Sequence, residues 1–289
     1  MRVDDHVLDA VRTDGFAVME GFVAPAELAA ATEGLFLEFP RPDDYFADPQ
    51  KHERLTRHQF AGLRLGPHQS WDLNRLAFHP DLVDAAERFC GTSDVQLYKM
   101  ELWAKYSGSI DYDQPHHRDY GNHSLVVPRR DLRWPQLTTF VLLSDVTEAD
   151  GPTKVIPRAI GDAVPLVPRE LPFGELFDHE VSITGPAGSL FLYTTDVLHR
   201  GSAMTGDQAS RFALLADYAP KGLPWIGKMA WPQHALSPGW TEMVERMSVR
   251  ERDLFGFPPP GHDYWDDQTL ADTQARYPSM DIGPYRSLG

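Results

Sequence analysis

Between residues 95 and 220 the chain breaks into short apolar segments, most of them three to seven residues long, each closed by Gly, Pro or Asp. Residues 96–106 (QLYKMELWAKY), 137–143 (LTTFVLL), 153–156, 181–183, 189–193 and 212–218 (FALLADY) each read as a strand, and Gly185-Pro186-Ala187-Gly188 separates two of them. Apolar alternation of period two, with turn residues at short intervals, predicts a sandwich or barrel rather than a helical bundle.

Helices flank this β-rich stretch. Residues 7–12 predict a short helix stopped by Asp14-Gly15, and residues 16–23 (FAVMEGFV) alternate as a strand. Pro25 opens a helix to about residue 33, and His79-Pro80-Asp81 opens another over 82–89, closed by Gly91. The polar stretch 40–67 predicts a long surface excursion on a pocket rim. After Pro220 the chain is aromatic and Pro-rich, with a helix near 241–247 and a wrapping tail, PPPGHDYWDD, that could be a lid but is expected to pack on the barrel. No internal repeat interrupts it. The 289 residues therefore predict one domain: 1–94 as a helical front half with the first strand, 95–220 as the β core, 221–289 as a C-terminal wrap. Such a length buries roughly three quarters of the unfolded surface, enough for a core without staples. The single cysteine, Cys90, excludes an internal disulfide and a thiolate metal cage, and reads as a small core residue. A formal charge of −15 disfavours nucleic acid and anionic membranes as partners. No apolar run reaches the ~18 residues of a membrane span, and the N-terminus lacks a signal peptide's basic and apolar regions, so a cytoplasmic enzyme acting on a small molecule is expected. Oligomeric state is not legible.

His-x-Asp followed much later by a second His is the sequence form of a facial triad that leaves metal positions open, as suits non-heme Fe(II) oxygenases. Residues two apart on extended chain point the same way. The motif occurs twice. His79-Pro80-Asp81 sits where a helix starts, and an acidic side chain there satisfies free amides. His117-Arg118-Asp119 instead follows a strand and a Gly-containing turn, as a connection lining a barrel mouth would. The second His is His199, after the strand 189–193. Twelve positions on, Arg211 opens the strand FALLADY. A hairpin turning near Thr205-Gly206 would set His199 and Arg211 opposite each other on adjacent strands. A guanidinium grips the distal end of a dicarboxylate bidentately and stays charged when buried. The triad His117, Asp119 and His199 together with Arg211 is far more specific than any one piece.

The segments HHRDYGNH, DVTEADGPTKVIPRAI and AGSLFLYTTDVLHRGSAMTGDQASRFALLADY, with the N-terminal DGFAVMEGFVAPAELAAA, resemble the phytanoyl-CoA dioxygenase family of Fe(II)/2-oxoglutarate oxygenases, over about residues 8 to 220. The resemblance implies a double-stranded β-helix core, a cupin-like jelly roll. It implies Fe(II) on His117, Asp119 and His199, and 2-oxoglutarate and O2 as cosubstrates with release of succinate and CO2. Arg211 matches the residue that grips the distal carboxylate, and Ser202 lies near the hydroxyl position that assists it, though three residues after the His where two is usual. The family's Pro-Gly-Ser-His is Pro157-Arg158-Ala159-Ile160 here, which alters a loop and leaves the iron site. Halogenating relatives lack the carboxylate that Asp119 supplies, so the resemblance favours hydroxylation.

Other candidates follow from position. Glu101, Trp103 and Lys105 share one face of a strand: inward they meet substrate, outward they are ordinary surface. Thr138 and Thr139 alternate, and Thr139 is the expected 2-oxoglutarate contact. Trp134 borders the pocket or packs in the core. His123 would hydrogen-bond a ligand or substrate, while His116 points away from His117 and reads as structural. Arg129-Arg130 and Arg133 form the local basic cluster, which reads as a solvated loop sooner than an anion site. Two rival functions remain: a cupin-like isomerase or hydrolase without 2-oxoglutarate, which would not need Arg211, and a noncatalytic binding relic, against which the intact triad argues.

Overall fold

The computed structural model describes residues 2–129, 134–167 and 171–286. Arg130 and Arg133 of the basic cluster lie outside them. Two antiparallel sheets form the centre. The larger has six strands in the order β1 (Phe16–Met19), β7 (Leu190–Tyr193), β4 (Leu137–Leu142), β9 (Ser210–Pro220), β3 (Val95–Tyr106) and β2 (Leu63–Leu65). The smaller has three, in the order β6 (Val181–Ile183), β5 (Thr153–Val155) and β8 (His199–Gly201). Sequence-distant strands are neighbours in both, as expected of a double-stranded β-helix.

Register turns one face of the large sheet into a ladder of aligned rows. Lys105 pairs with Arg211 and Trp103 with Ala213; Glu101 pairs with Leu215, and Lys99 with Asp217. On the other side of β9, Leu142 pairs with Ala213, Phe140 with Leu215 and Thr138 with Asp217. Because side chains alternate, these residues share one face, toward the small sheet. The opposite face carries Leu137, Val141, Leu102, Leu214 and Ala216, all fully or almost fully buried.

That opposite face is covered by helices. α1 (Asp5–Thr13), α2 (Pro25–Leu35), α3 (Pro42–Ala47), α4 (Trp71–Leu76) and α5 (Pro80–Cys90) come from the front half, and α5 ends on Gly91 in the left-handed conformation. Short α6 (Tyr120–His123) and α7 (Arg158–Gly161) lie in the β core, whereas α8 (Trp240–Arg246), α9 (Val249–Leu254) and α10 (Asp267–Arg276) belong to the C-terminal segment. One hydrophobic cluster runs from Val3 through Leu102 and Leu214 to Trp240, Phe255 and Tyr285, so the C-terminal segment is built into the core. The tail's Trp265 is buried, and its indole N–H donates to the carbonyls of Pro258 and Pro259. Among the described residues no helix is long and apolar enough to cross a membrane.

The segment 40–67 is more ordered than its polarity predicts: it holds α3, a 3-10 helix (Pro49–Leu55) and edge strand β2. Just beyond it the Asn74 side chain accepts from the His68 amide (2.7 Å) and donates to the His68 carbonyl (2.8 Å). The His68 imidazole is 1% exposed, and burial pushes its pKa down to about 4. The unfolded chain therefore binds a proton near pH 6.5 that the folded chain refuses until about pH 4. Stability falls as pH drops through that window, by about 1.4 kcal/mol per pH unit from this group. Denaturant midpoints of the wild type and His68→Leu between pH 7 and pH 4.5 check this: the variant loses less stability on acidification.

Candidate active site

A cavity of about 380 Å³ lies between the ladder face of the large sheet and the small sheet. His117, Asp119 and His199 all line it. Each offers one ligand atom, and the three atoms lie within 4.8 Å of one another. The segment carrying His117 is tied to β8 by two backbone hydrogen bonds, His117 N–H to the His199 carbonyl (2.9 Å) and the reverse (3.0 Å). Two histidines 82 positions apart thus meet through the main chain before their side chains are considered.

Both rings are oriented the same way. His117 Nδ1 faces the Pro115 carbonyl at 2.9 Å, and His199 Nδ1 faces the Val197 carbonyl at 3.1 Å. A carbonyl partner assigns the proton to Nδ1 and leaves each Nε2 lone pair free, the form in which imidazole binds a metal. The Nε2 atoms lie 3.7 Å and 3.4 Å from the two oxygens of Asp119. Burial alone would raise the Asp119 carboxyl, but His199, Lys99 and His117 outweigh it and hold it well below the usual carboxylate range. Burial pushes His117 below its ordinary value, whereas for His199 the Asp119 charge overcomes burial and raises it. Two neutral nitrogens and one carboxylate, with no thiolate, suit a borderline divalent ion such as Fe(II).

Arg211 also lines the cavity. Nη1 donates to the Gly151 carbonyl, and among the described residues Arg211 makes no ion pair. Burial lowers its pKa to about 10, against the pull of Asp111 and Asp150, so it remains charged at neutral pH. Its neighbour Lys105 pairs with Asp111 at 2.5 Å and donates to the Ser202 carbonyl at 2.9 Å. One end of the cavity therefore carries a guanidinium with unused donors. The expected hairpin is absent: β8 belongs to the small sheet and β9 to the large one. His199 and Arg211 face the same cavity from opposing layers.

A family model described as Phytanoyl-CoA dioxygenase (PhyH) matches residues 11–213. The chain belongs to the phytanoyl-CoA dioxygenase family. No curated protein matches it. Among solved structures, the phytanoyl-CoA dioxygenase fold seen here is similar to that of SnoK, a non-heme alpha ketoglutarate dependent carbocyclase from nogalamycin biosynthesis, at 19% identity and a TM-score of 0.56, over 82% of this chain and 92% of SnoK. The epimerase SnoN from the same biosynthesis aligns at 19% identity and a TM-score of 0.54, over 75% of this chain and 80% of SnoN. AviO1 from Streptomyces viridochromogenes Tue57 aligns at 17% identity and a TM-score of 0.51, over 78% of this chain and 99% of AviO1. SnoN has also been solved with Fe3+ and alpha ketoglutarate. The iron and 2-oxoglutarate expected from the sequence agree with the family and with a triad able to hold a metal ion.

Glu101, Trp103, Lys105 and His123 line the cavity of this phytanoyl-CoA dioxygenase family member, so the face they share is the inward one. His123 is buried, and its Nδ1 lies 3.0 Å from the Tyr98 hydroxyl. Three expectations are corrected. Thr139 points to the helix-covered face and its hydroxyl donates to the Ala216 carbonyl at 3.0 Å; Thr138, one position away, carries the inward parity and donates to Asp217. The Ser202 hydroxyl donates to the Pro152 carbonyl at 2.6 Å and does not line the cavity. Trp134 packs with Tyr98, Ala219 and Ile226, its indole N–H on the Thr195 hydroxyl at 2.9 Å, away from the cavity. His79 accepts the Asp81 amide at the start of α5 and belongs to no metal group, and His116 turns away to Glu180 at 3.0 Å.

Tyr193, Lys99 and Arg118 went unread in the sequence. Lys99 shares the parity of Glu101, Trp103 and Lys105, and extending that alternation two residues back would have found it. Arg118 spends its guanidinium on the carbonyls of Asp196, Gly161, Val164 and Pro165, fixing the His-x-Asp turn to two segments, the loop at Asp196 and the end of α7 with the residues after it. Tyr193 donates its hydroxyl to Asp119 Oδ2 at 3.1 Å, and its ring meets His199 edge-on at 5.1 Å; no local pattern announces either contact. Outer partners of this kind orient a ligand, and losing one costs about 10- to 100-fold in metal affinity. Tyr193→Phe is expected to weaken Fe(II) binding within that range while leaving the melting temperature of the metal-free protein near its original value. Metal titration against a chelator measures it, and unchanged affinity would refute the role.

Proposed function

We propose that this protein is a mononuclear Fe(II)- and 2-oxoglutarate-dependent dioxygenase that hydroxylates a small molecule. The observation that carries the reading is the convergence, in one cavity, of a His117, Asp119, His199 ligand set with the charged, half-buried Arg211. His117, Asp119 and His199 would hold the iron, and Arg211 the distal carboxylate of 2-oxoglutarate. Bound there, iron with 2-oxoglutarate and O2 supplies the oxidising power, with release of succinate and CO2.

The chain's own residues do the rest. Nδ1 of both histidines stays protonated on backbone carbonyls, so Nε2 remains a donor through the cycle. Asp119 brings the one negative charge of the ligand set, oriented by Tyr193. Phe140, Leu142, Phe191 and Leu215 give the cavity apolar walls that exclude water around the reacting groups. Gln59, Phe60 and Leu63, from the segment 40–67, close one side and would bear on the substrate. SnoK and SnoN are described as a carbocyclase and an epimerase, so other outcomes of the same C–H oxidation fit the same residues. Arg211 weighs against a metalloenzyme without 2-oxoglutarate, because a metal site alone gives a guanidinium facing the cavity no carboxylate to meet.

The experiment is anaerobic addition of Fe(II) and 2-oxoglutarate, followed by admission of O2. A weak visible charge-transfer band that appears only with both, then succinate formed in step with 2-oxoglutarate loss, is the expected result. A metal-bound protein that never develops the band refutes the reading.

A further inference from the structure

The cavity has a second polar end that 2-oxoglutarate does not explain. Lys99 and Asp217 are paired six positions along the strands from Lys105 and Arg211, about 20 Å at 3.3 Å per residue. Apolar rows separate the two ends: Ala213 and Leu142 beside Trp103, then Leu215 and Phe140 beside Glu101. A five-carbon diacid held at Arg211 is far too short to span them. The far end lies on the metal's side, since Lys99 is among the charges that hold Asp119 ionised, while Arg211 feels Asp111 and Asp150 instead.

Three charged side chains are buried at this far end: Lys99 at 4% exposure, Glu101 at 6% and Asp217 at 0%. Burying charges is expensive unless each is paired, and an apolar trio would often serve a scaffold as well. Their hydrogen bonds can be counted. Lys99 Nζ has three N–H groups. Nζ pairs with Asp217 Oδ2 at 3.0 Å and with Glu101 Oε2 at 3.2 Å as ion pairs, and among the described residues Asp217 Oδ2 has no hydrogen-bond partner. Asp217 Oδ1 is taken by the Thr138 hydroxyl and by Gln136 Nε2. Glu101 Oε2 also accepts the Trp103 indole N–H at 3.2 Å. Among the described residues, no hydrogen bond reaches Glu101 Oε1 and the Lys99 ammonium is held by ion pairs alone, so both residues, which line the cavity, keep hydrogen-bonding capacity there. An acceptor and a donor thus stand side by side. Lys228 also lines the cavity and feels Lys99, Glu101 and Asp217, so a cation placed there would meet two ammonium groups, and an anion would still meet the carboxylates of Glu101 and Asp217. An uncharged hydroxyl satisfies both at once, donating to Glu101 and accepting from Lys99. Trp103, with Phe60 edge-on to it at 5.7 Å, offers an aromatic wall next to that pair.

We propose that Lys99 and Glu101 form the substrate-recognition end of the cavity and seat a hydroxyl of an uncharged, hydroxyl-bearing ring whose carbon skeleton lies against Trp103. The inference rests on the dioxygenase reading and names the substrate class for it. The test uses the full chain loaded anaerobically with Fe(II) and 2-oxoglutarate, titrated with ring probes of one size: trans-cyclohexane-1,2-diol, cyclohexylamine, cyclohexanecarboxylate and cyclohexanecarboxamide. Binding is read by calorimetry and by perturbation of the charge-transfer band. The diol is expected to bind at least tenfold more tightly than each of the other three, and Glu101→Gln and Lys99→Met, checked for folding by circular dichroism, are expected to lose that preference. Tightest binding of the amine, the carboxylate or the carboxamide overturns the proposal. So does an intact band with no response to any probe, which leaves the dioxygenase reading standing. A missing band refutes that reading and this inference with it. The probe series on the wild-type protein decides the matter even where a variant fails to fold.

Discussion

Asp119→Ala is expected to lose iron by more than the roughly 10- to 100-fold that changes outside a ligand set cost. Asp119 is the one anionic donor of the triad, and both imidazoles reach toward its oxygens at 3.4 and 3.7 Å. Without it, two neutral nitrogens face a divalent ion with no compensating charge, and the buried Lys99 loses a nearby anion that stabilises it. His199 loses the charge that holds its proton affinity up against burial, so its ring stays neutral over a wider pH range, and competition from protons does not explain the loss. Iron content after chelator dialysis, compared with the wild type, measures the effect. Iron retained at full stoichiometry would mean that the metal sits elsewhere.

Arg211→Leu separates cosubstrate binding from metal binding. Removing one partner of a buried charge pair costs about 2–5 kcal/mol, roughly 30- to 5,000-fold in affinity. The dissociation constant for 2-oxoglutarate is expected to rise by that factor while iron stoichiometry stays at the wild-type value, because Arg211 and the triad sit on different layers. Lys105, paired with Asp111 and the Ser202 carbonyl, is already committed and cannot substitute for the missing fork. Anaerobic titration of the visible band with 2-oxoglutarate gives both numbers. Wild-type 2-oxoglutarate affinity in this variant would sink the assignment.

Part of this site could be read in one dimension: His117 and Asp119 depend on a spacing of two residues, whereas His199 and Arg211 join them across 82 positions and two sheets, and it was the family resemblance that carried those two. Alternation also carried Glu101, Trp103 and Lys105 to the correct face as one of two readings. It failed at Thr139 because parity flips every residue, and neither Thr138 nor Thr139 is marked by chemistry. Strand β2 was hidden because three residues in a polar segment carry no periodicity, and its partner β3 supplies the order. The C-terminal helices α9 and α10 did carry a signal: Ser248 with Glu251, and Asp266 with Thr269, form reciprocal caps at their starts. The pairing of His199 and Arg211 was misjudged for a topological reason. Residues 202–209 look like a hairpin turn, yet they carry the chain from one sheet to the other, and only the strand order reveals the crossing.

That crossing matters for how such a protein can change. The gap between the metal ligand and the guanidinium is gauged by two stacked layers, about 10 Å from sheet to sheet, and not by the length of chain joining them. A change in the length of this corner would therefore act on the site through the bonds the corner makes, Ser202 to Pro152 and to Lys105 and Met204 to Asp111, and not through the span into which a diacid must fit.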